Sequence, residues 1–303
     1  GYSSWYNRYQ NIDAESITGD LAGCAEHMLP GDLFQIDDGW EPAVGDWLET
    51  DAKKFPDGLK GTVGDIHGRG FLAGLWLAPF VCQKDSKIFR EHPDWLLLHD
   101  GKPWYCGSNW GGFYALDIDN AEFVRYLEQT FSLVLNDWGF DLVKLDFLYA
   151  AAPFGDVRES RAGRMTRAME LLRRLCGDKL ILGCGVPLMP SFGLVDYCRI
   201  SCDVGLDWDN SLIMRHTNRE RVSTRQAIGN TGALFAMLAI MLPAFLLAMY
   251  EKDGLPFEKV IRNIIRVKFT RPGIRPYRTE NIYAPFARKE EPIEQSKKAE
   301  KRK

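Results

Sequence analysis

Six short, largely apolar runs recur along the first 203 residues, and most of them give way to polar or charged side chains at the C-terminal end. They are GYSSWY (1–6), DLFQIDDGW (32–40), FLAGLWLAP (71–79), DLVKLDFLY (141–149), KLILGCGV (179–186) and DYCRISCD (196–203). Runs of this length and apolarity suit parallel strands covered on both faces. Helical stretches separate them. Between 120 and 139, Phe123, Leu127, Phe131, Val134 and Trp138 recur near the helical period, with Gly139 set to cap. The stretch from 160 to 178 repeats this design, closed by Gly177. Six strands with helical crossovers predict an α/β fold.

The polar residues gather where the runs end: Asp37 and Asp38, Trp76, Asp146, Cys184 and Asp203. A (β/α)8 barrel builds its active site there. A doubly wound sheet does so too, but no glycine-rich phosphate fingerprint follows any run, which disfavours the nucleotide-binding version. Lys144 and Asp146 are two apart, so they share one face of a strand. An ammonium beside a carboxylate favours its ionised form, and an ionised carboxylate at a barrel mouth can act as a nucleophile. The alternative is a buried ion pair that only fixes the strand. Asp203, two strands later with Arg199 four residues before it, shifts the balance, because two carboxylates on different strand ends can flank a glycosidic bond. Asp37 and Asp38 can accept hydrogen bonds from sugar hydroxyls or hold a metal. With no His or further acid on that strand, hydroxyl recognition is preferred. Residues 80–118 form a long loop holding Trp95, Trp104, Tyr105, Trp110, Phe113 and Tyr114. Such a loop is either a binding lid for sugar rings or a self-packed surface segment.

The 303 residues allow one large domain or two small ones, and 46% hydrophobic residues permit a sizeable core. The net charge of −3 is uneven: residues 251–303 carry 15 basic and 8 acidic side chains, and residues 1–250 carry 23 basic and 33 acidic ones. Such asymmetry suggests two pieces with different surroundings. Seven scattered cysteines argue for a reducing compartment rather than a disulfide framework. Neither they nor the five histidines show ligand spacing, so no metal and no cofactor are expected, and no nucleic-acid partner. No signal peptide is visible, and Gly1 reads as a cut edge inside a strand.

The blocks GYSSWY, LFQIDDGW, GDWLE with FPDGLKG, GLWLAPF, HPDW, VKLDFLY and CRISCD together resemble the catalytic barrel of glycoside hydrolase family 36, the α-galactosidases, from residue 1 to about 231. The resemblance implies a (β/α)8 barrel that hydrolyses terminal α-galactosides, such as raffinose-type oligosaccharides, with retention by double displacement. It implies Asp146 as nucleophile and Asp203 as acid/base. It also implies substrate contacts from Trp5, Asp37, Asp38, Trp76, Lys144 and Arg199, and more loosely from Cys184 and Gly185. A related expectation is a galactosyl-transferring enzyme like the raffinose and stachyose synthases.

The family pattern stops after STRQAIGNT (223–231). Its seventh and eighth strands are not legible, so the barrel reads as truncated after about six strands. Residues 232–250 follow, nineteen residues without a charge, a length that suits a membrane span or a buried helix. The segment 232–284 resembles the PrgI family of conjugative-element membrane proteins through this span, EKDGLP and RPYRTENIYA. The tail 285–303 is charged and reads as disordered. The expected division is thus a partial barrel (1–231), a PrgI-like segment (232–284) and a tail (285–303). The barrel is expected in the cytoplasm, with membrane association through 232–250 and oligomerisation left open. The competing reading is a membrane component of a conjugative transfer system that carries an inert barrel remnant.

Overall fold

Six strands form one parallel sheet in the order in which the chain makes them. They are β1 (Tyr2–Ser3), β2 (Leu33–Ile36), β3 (Leu72–Leu77), β4 (Leu142–Leu145), β5 (Leu180–Gly183) and β6 (Tyr197–Cys198). The computed structural model describes residues 1–155, 157–200, 203–204, 208–209, 221–232, 241, 251–252, 255–256, 262 and 265. Each strand pairs with its predecessor, and the order never reverses. A doubly wound sheet would contain a switch point; sequential winding belongs to a barrel. The sheet fits six strands of a (β/α)8 barrel. Beyond β6, Asp203–Val204 pairs in parallel with Arg221–Val222, and a helix occupies 224–232.

The strands begin where the apolar runs do and end sooner. DLFQIDDGW contributes only Leu33–Ile36 to the sheet, because Asp37 and Asp38 leave the ladder to face polar partners. β4 likewise ends at Leu145, and the chain turns after Asp146.

Four longer helices run between strands: α1 (Ala14–Cys24), α2 (Lys60–Gly68), α3 (Ala121–Ser132) and α4 (Arg161–Cys176). Three start at caps of the expected chemistry. The Asp13 carboxylate accepts from Ser16 N at 2.8 Å, Asn120 Oδ1 accepts from Glu122 N at 2.9 Å, and Ser160 Oγ accepts from Gly163 N at 3.1 Å. Gly177 caps α4. The 120–139 stretch is α-helical only to Ser132, then widens into a π turn over Leu133–Asp137 before Gly139. The helices bury Ile17 and Leu21, Val63 and Ile66, Phe123, Leu127 and Phe131, and Met165, Met169 and Leu172 against Ile36, Leu75, Leu77, Val143, Leu145 and Ile181 of the sheet. Spacings of three and four residues make one apolar stripe per helix.

The long loop after β3 folds into short antiparallel strands that pack into the same core. Val81–Gln83, Phe113–Ala115 and Tyr105–Gly107 form an antiparallel sheet, and Leu98–His99 pairs with Lys102–Pro103. Most of its aromatic residues serve this packing. Trp95 is buried against His92, Phe123 and Tyr126, and Trp104 lies against His99 and Phe154.

The chain divides into two compact units, Gly1–Ala233 and Leu234–Lys303. In the second, Glu251–Lys252 pairs antiparallel with Leu255–Pro256. The expected span 232–250 lies outside the described residues apart from Gly232 and Met241, as does the whole charged tail 285–303. Among the described residues, no helix is long and apolar enough to cross a membrane.

Candidate active site

The C-terminal ends of the strands surround a cavity of about 370 Å3. Its wall includes Trp5, Asp37, Asp38, Trp76, Lys144, Asp146, Gly185, Arg199 and Asp203, nine residues singled out from the sequence. Register explains part of this convergence. Trp76 on β3 pairs with Lys144 on β4, which pairs with Leu182 on β5. The ladder also runs one residue past the strand ends: Asp146 N donates to Leu77 O, Cys184 N to Leu145 O, and Arg199 N to Gly183 O.

Lys144 does not hold Asp146 directly. Its Nζ donates to Asp37 Oδ2 at 2.7 Å, and both side chains are buried. Burial alone would lower the Lys144 pKa. The Asp37 carboxylate, with Cys184 and Asp146 farther off, outweighs it and keeps the ammonium charged. Burial pushes the Asp37 carboxyl up while Lys144 pulls it back, and the pair is ionic. Gln35 Nε2 at 2.5 Å and Ser3 Oγ at 3.4 Å also donate to Asp37 Oδ2, and Asp38 N donates to Oδ1 at 3.0 Å. Asp38 Oδ2 accepts from Gln10 Nε2 at 2.7 Å and Trp110 Nε1 at 3.0 Å.

The two carboxylates of the expected chemistry are each tethered by an indole. Trp76 Nε1 donates to Asp146 Oδ2 and Trp5 Nε1 to Asp203 Oδ2, both at 3.3 Å. Phe147 N donates to Asp146 Oδ1 at 2.8 Å. Arg199 Nη1 donates to Asp203 Oδ1 in an ion pair.

Local backbone geometry aims these groups. Gly39 follows the two aspartates with φ +115, and a Cβ there would sit 2.7 Å from Gln10 O, so only glycine allows this turn. At the end of β5, a Cβ on Gly185 (φ +57) would approach Phe147 N to 3.3 Å. Phe147 and Trp110 are non-glycine residues in the left-handed region, with φ +53 and +52, and their rings lie 5.2 Å apart in the cavity wall. Strained residues that touch one another at a site are held by their surroundings.

Cys184 does not join the lining. It is wholly buried beneath the cavity, where burial, helped by Asp146, pushes its thiol up to about 12. Gly185, next to it, provides the wall instead. Gln10, Asn109, Phe147 and Tyr149, which carry no signal in the sequence, also line the cavity, and Trp110 reaches it from the long loop. Lys144 and Arg199 face Asp37, Asp38, Asp146 and Asp203 across one small space. An acceptor-rich cavity of this kind suits a polyhydroxylated neutral ligand. Among the described residues, no group of His, Cys, Asp and Glu could hold a metal ion.

The chain is similar to known proteins. The chain is 32% identical over 182 residues to an α-galactosidase of Escherichia coli, covering 56% of this chain and 25% of the relative. It is 30% identical over 151 residues to α-galactosidase AgaA of Geobacillus stearothermophilus, covering 48% of this chain and 20% of the relative. The chain thus spans about a quarter of the length of these relatives or less. The α-galactosidase TtGalA of Thermus thermophilus, solved with stachyose, superposes with a TM-score of 0.62 at 40% identity, over 69% of this chain and 45% of that one. The PrgI family matches residues 222–277, which begin ten residues before the expected segment and lie largely outside the described residues. The melibiase family matches residues 2–170, more than half of the chain, over β1 to β4 and their crossovers. This protein therefore belongs to the melibiase family.

Proposed function

We propose that the unit formed by residues 1–233 binds a terminal α-galactoside and hydrolyses it with retention. The carrying observation is that Asp146, just past the end of β4, and Asp203, in the short strand beyond β6, line one cavity, each oriented by a tryptophan N–H. Asp146 attacks the anomeric carbon, and the glycosidic oxygen leaves with a proton from Asp203. Asp203 then takes a proton from water, whose oxygen attacks the same carbon and releases Asp146. Two displacements restore the configuration.

Asp37 and Asp38 accept hydrogen bonds from the sugar hydroxyls, and Lys144 is positioned to donate one. The indoles of Trp5, Trp76 and Trp110 offer apolar faces to the ring C–H bonds. The stachyose complex of TtGalA supports raffinose-type oligosaccharides as the substrate class. Hydrolysis of p-nitrophenyl α-D-galactopyranoside, a ligand in another TtGalA complex, tests this reading. Turnover by the folded chain supports it. A folded chain that neither cleaves this substrate nor binds galactose refutes it.

The PrgI match favours a second role for the remainder, as a membrane segment through 232–250 joined to a cytoplasmic barrel unit. An alkaline carbonate wash of membranes tests this, because a spanning segment stays in the pellet.

A further inference from the structure

A second cavity, about 260 Å3, lies behind the wall of the first and shares Gln10, Asp38 and Trp110 with it. Glu41 lines this second cavity. Its side chain is buried, as is that of Asp38, and the two carboxyl groups are in hydrogen-bond contact. Neither has a cation in an ion pair among the described residues. The Nζ of nearby Lys54 is directed to two carbonyls, Gln10 O at 3.0 Å and Gly39 O at 2.9 Å. Asp51, the other charged group of this cavity, accepts from Lys53 N and Lys54 N through Oδ1.

Two carboxylates without a counter-ion cannot both stay ionised at contact distance in a buried site. One proton must lie between them. Asp38 Oδ2 already receives two N–H donors, from Gln10 and Trp110. Glu41 Oε2 receives one longer backbone contact, from Gly39 N at 3.3 Å. The negative charge therefore belongs on Asp38 and the proton on Glu41. Burial, then the Asp38 charge, pushes the Glu41 carboxyl well above its ordinary range, in agreement with this assignment.

We propose that Glu41 is a positioning residue: as a neutral acid it donates a hydrogen bond to Asp38 and fixes that carboxylate to receive a sugar hydroxyl. The inference rests on the sugar-binding reading of Asp38. It makes galactose affinity depend on a proton that never touches the sugar. Below the Glu41 pKa the contact is intact. As pH rises through it, two adjacent carboxylates repel and Asp38 moves.

The test uses the full chain, with galactose as the probe, in calorimetric titrations from mildly acid to alkaline pH. Glu41→Gln keeps a donor that cannot ionise, so affinity at neutral pH should stay within about twofold of wild type, and the alkaline loss of affinity should vanish. Glu41→Ala removes the donor and should weaken binding about tenfold at neutral pH, with no further loss on the alkaline side. An alkaline loss that persists unchanged in Glu41→Gln overturns the inference, as does full affinity in a folded Glu41→Ala. Infrared spectroscopy gives a readout independent of sugar. Wild type at neutral pH should show the carbonyl band of a buried protonated carboxyl, and Glu41→Gln should lack it. Absence of that band in wild type overturns the inference whatever the binding. If the band behaves as expected while galactose does not bind, the shared proton holds and the α-galactoside reading fails.

Discussion

Lys144 Nζ lies 2.7 Å from Asp37 Oδ2, across 107 residues of chain, rather than against Asp146 two positions away. The contact ties the end of β2 to β4, its neighbour but one in the sheet, and sets Asp37 in the same cavity wall as Asp146. Both partners are buried, so neither can rely on water in the other's absence.

Lys144→Met should therefore destabilise the barrel unit by about 3–5 kcal/mol, because an unpaired carboxylate stays buried. Asp37→Asn combined with Lys144→Met should recover part of that loss, since the stranded charge is then gone. Urea denaturation of the single and double variants is the measurement. A single variant as stable as wild type would contradict the pairing.

Asp37 and Asp38 should recognise galactose without metal. Asp37→Asn and Asp38→Asn should each weaken galactose binding about tenfold or more, the effect of losing a hydrogen bond to a charged group. Dialysis of wild type against EDTA should leave binding unchanged. Loss of binding after EDTA treatment would restore the metal reading of this pair.

Asp203→Ala should separate substrates by leaving group. A general acid contributes on the order of a hundredfold or more where the leaving oxygen needs a proton, so raffinose cleavage should suffer by that much. Dinitrophenyl α-galactoside, whose leaving group departs as an anion, should lose under about tenfold. Equal losses on both substrates would remove Asp203 from the acid role.

Stability should fall on the acid side through Asp20. Arg8 donates to both of its oxygens at 2.6 Å and Tyr2 Oη to one of them, also at 2.6 Å, and hydrogen bonding from Arg8 chiefly holds its carboxyl below the usual range despite partial burial. A depressed carboxyl stabilises the fold above its ordinary pKa, and that stability is lost as pH falls through the lower, folded value. The urea midpoint of wild type should thus drop below about pH 4. In Asp20→Asn the drop should be shallower, from a lower starting point. Parallel curves for the two proteins would show that Asp20 carries none of the effect.

Local pattern made the strands legible, because each needed an apolar run of a certain length and a polar stop. It overstated their lengths, since a run such as DLFQIDDGW does not reveal where hydrogen bonding ends and side-chain recognition begins. Asp37, Asp38, Asp146 and Asp203, which line one cavity, stand out in the sequence because charged residues that follow apolar runs are costly unless used. Gln10, Asn109 and Tyr149 do not, because they stand on turns without periodicity and reach the cavity through tertiary packing. That Gly185 rather than Cys184 lines the cavity is hidden for a related reason. The chain turns at Gly185, and strand alternation no longer tells which neighbour faces the cavity. The partner of Lys144 was hidden by sequence distance: an ion pair between positions 37 and 144 leaves no local mark.

Asp146 is expected to form a covalent galactosyl intermediate. The direct measurement is mass spectrometry of the chain after incubation with 5-fluoro-α-D-galactosyl fluoride. This reagent slows both displacements, but its fluoride leaves without protonation, so the intermediate accumulates. One fluorogalactosyl group is expected on the peptide that contains Asp146, and none in Asp146→Ala. A folded wild-type chain that stays unlabelled, or that carries the label on another residue, would contradict it.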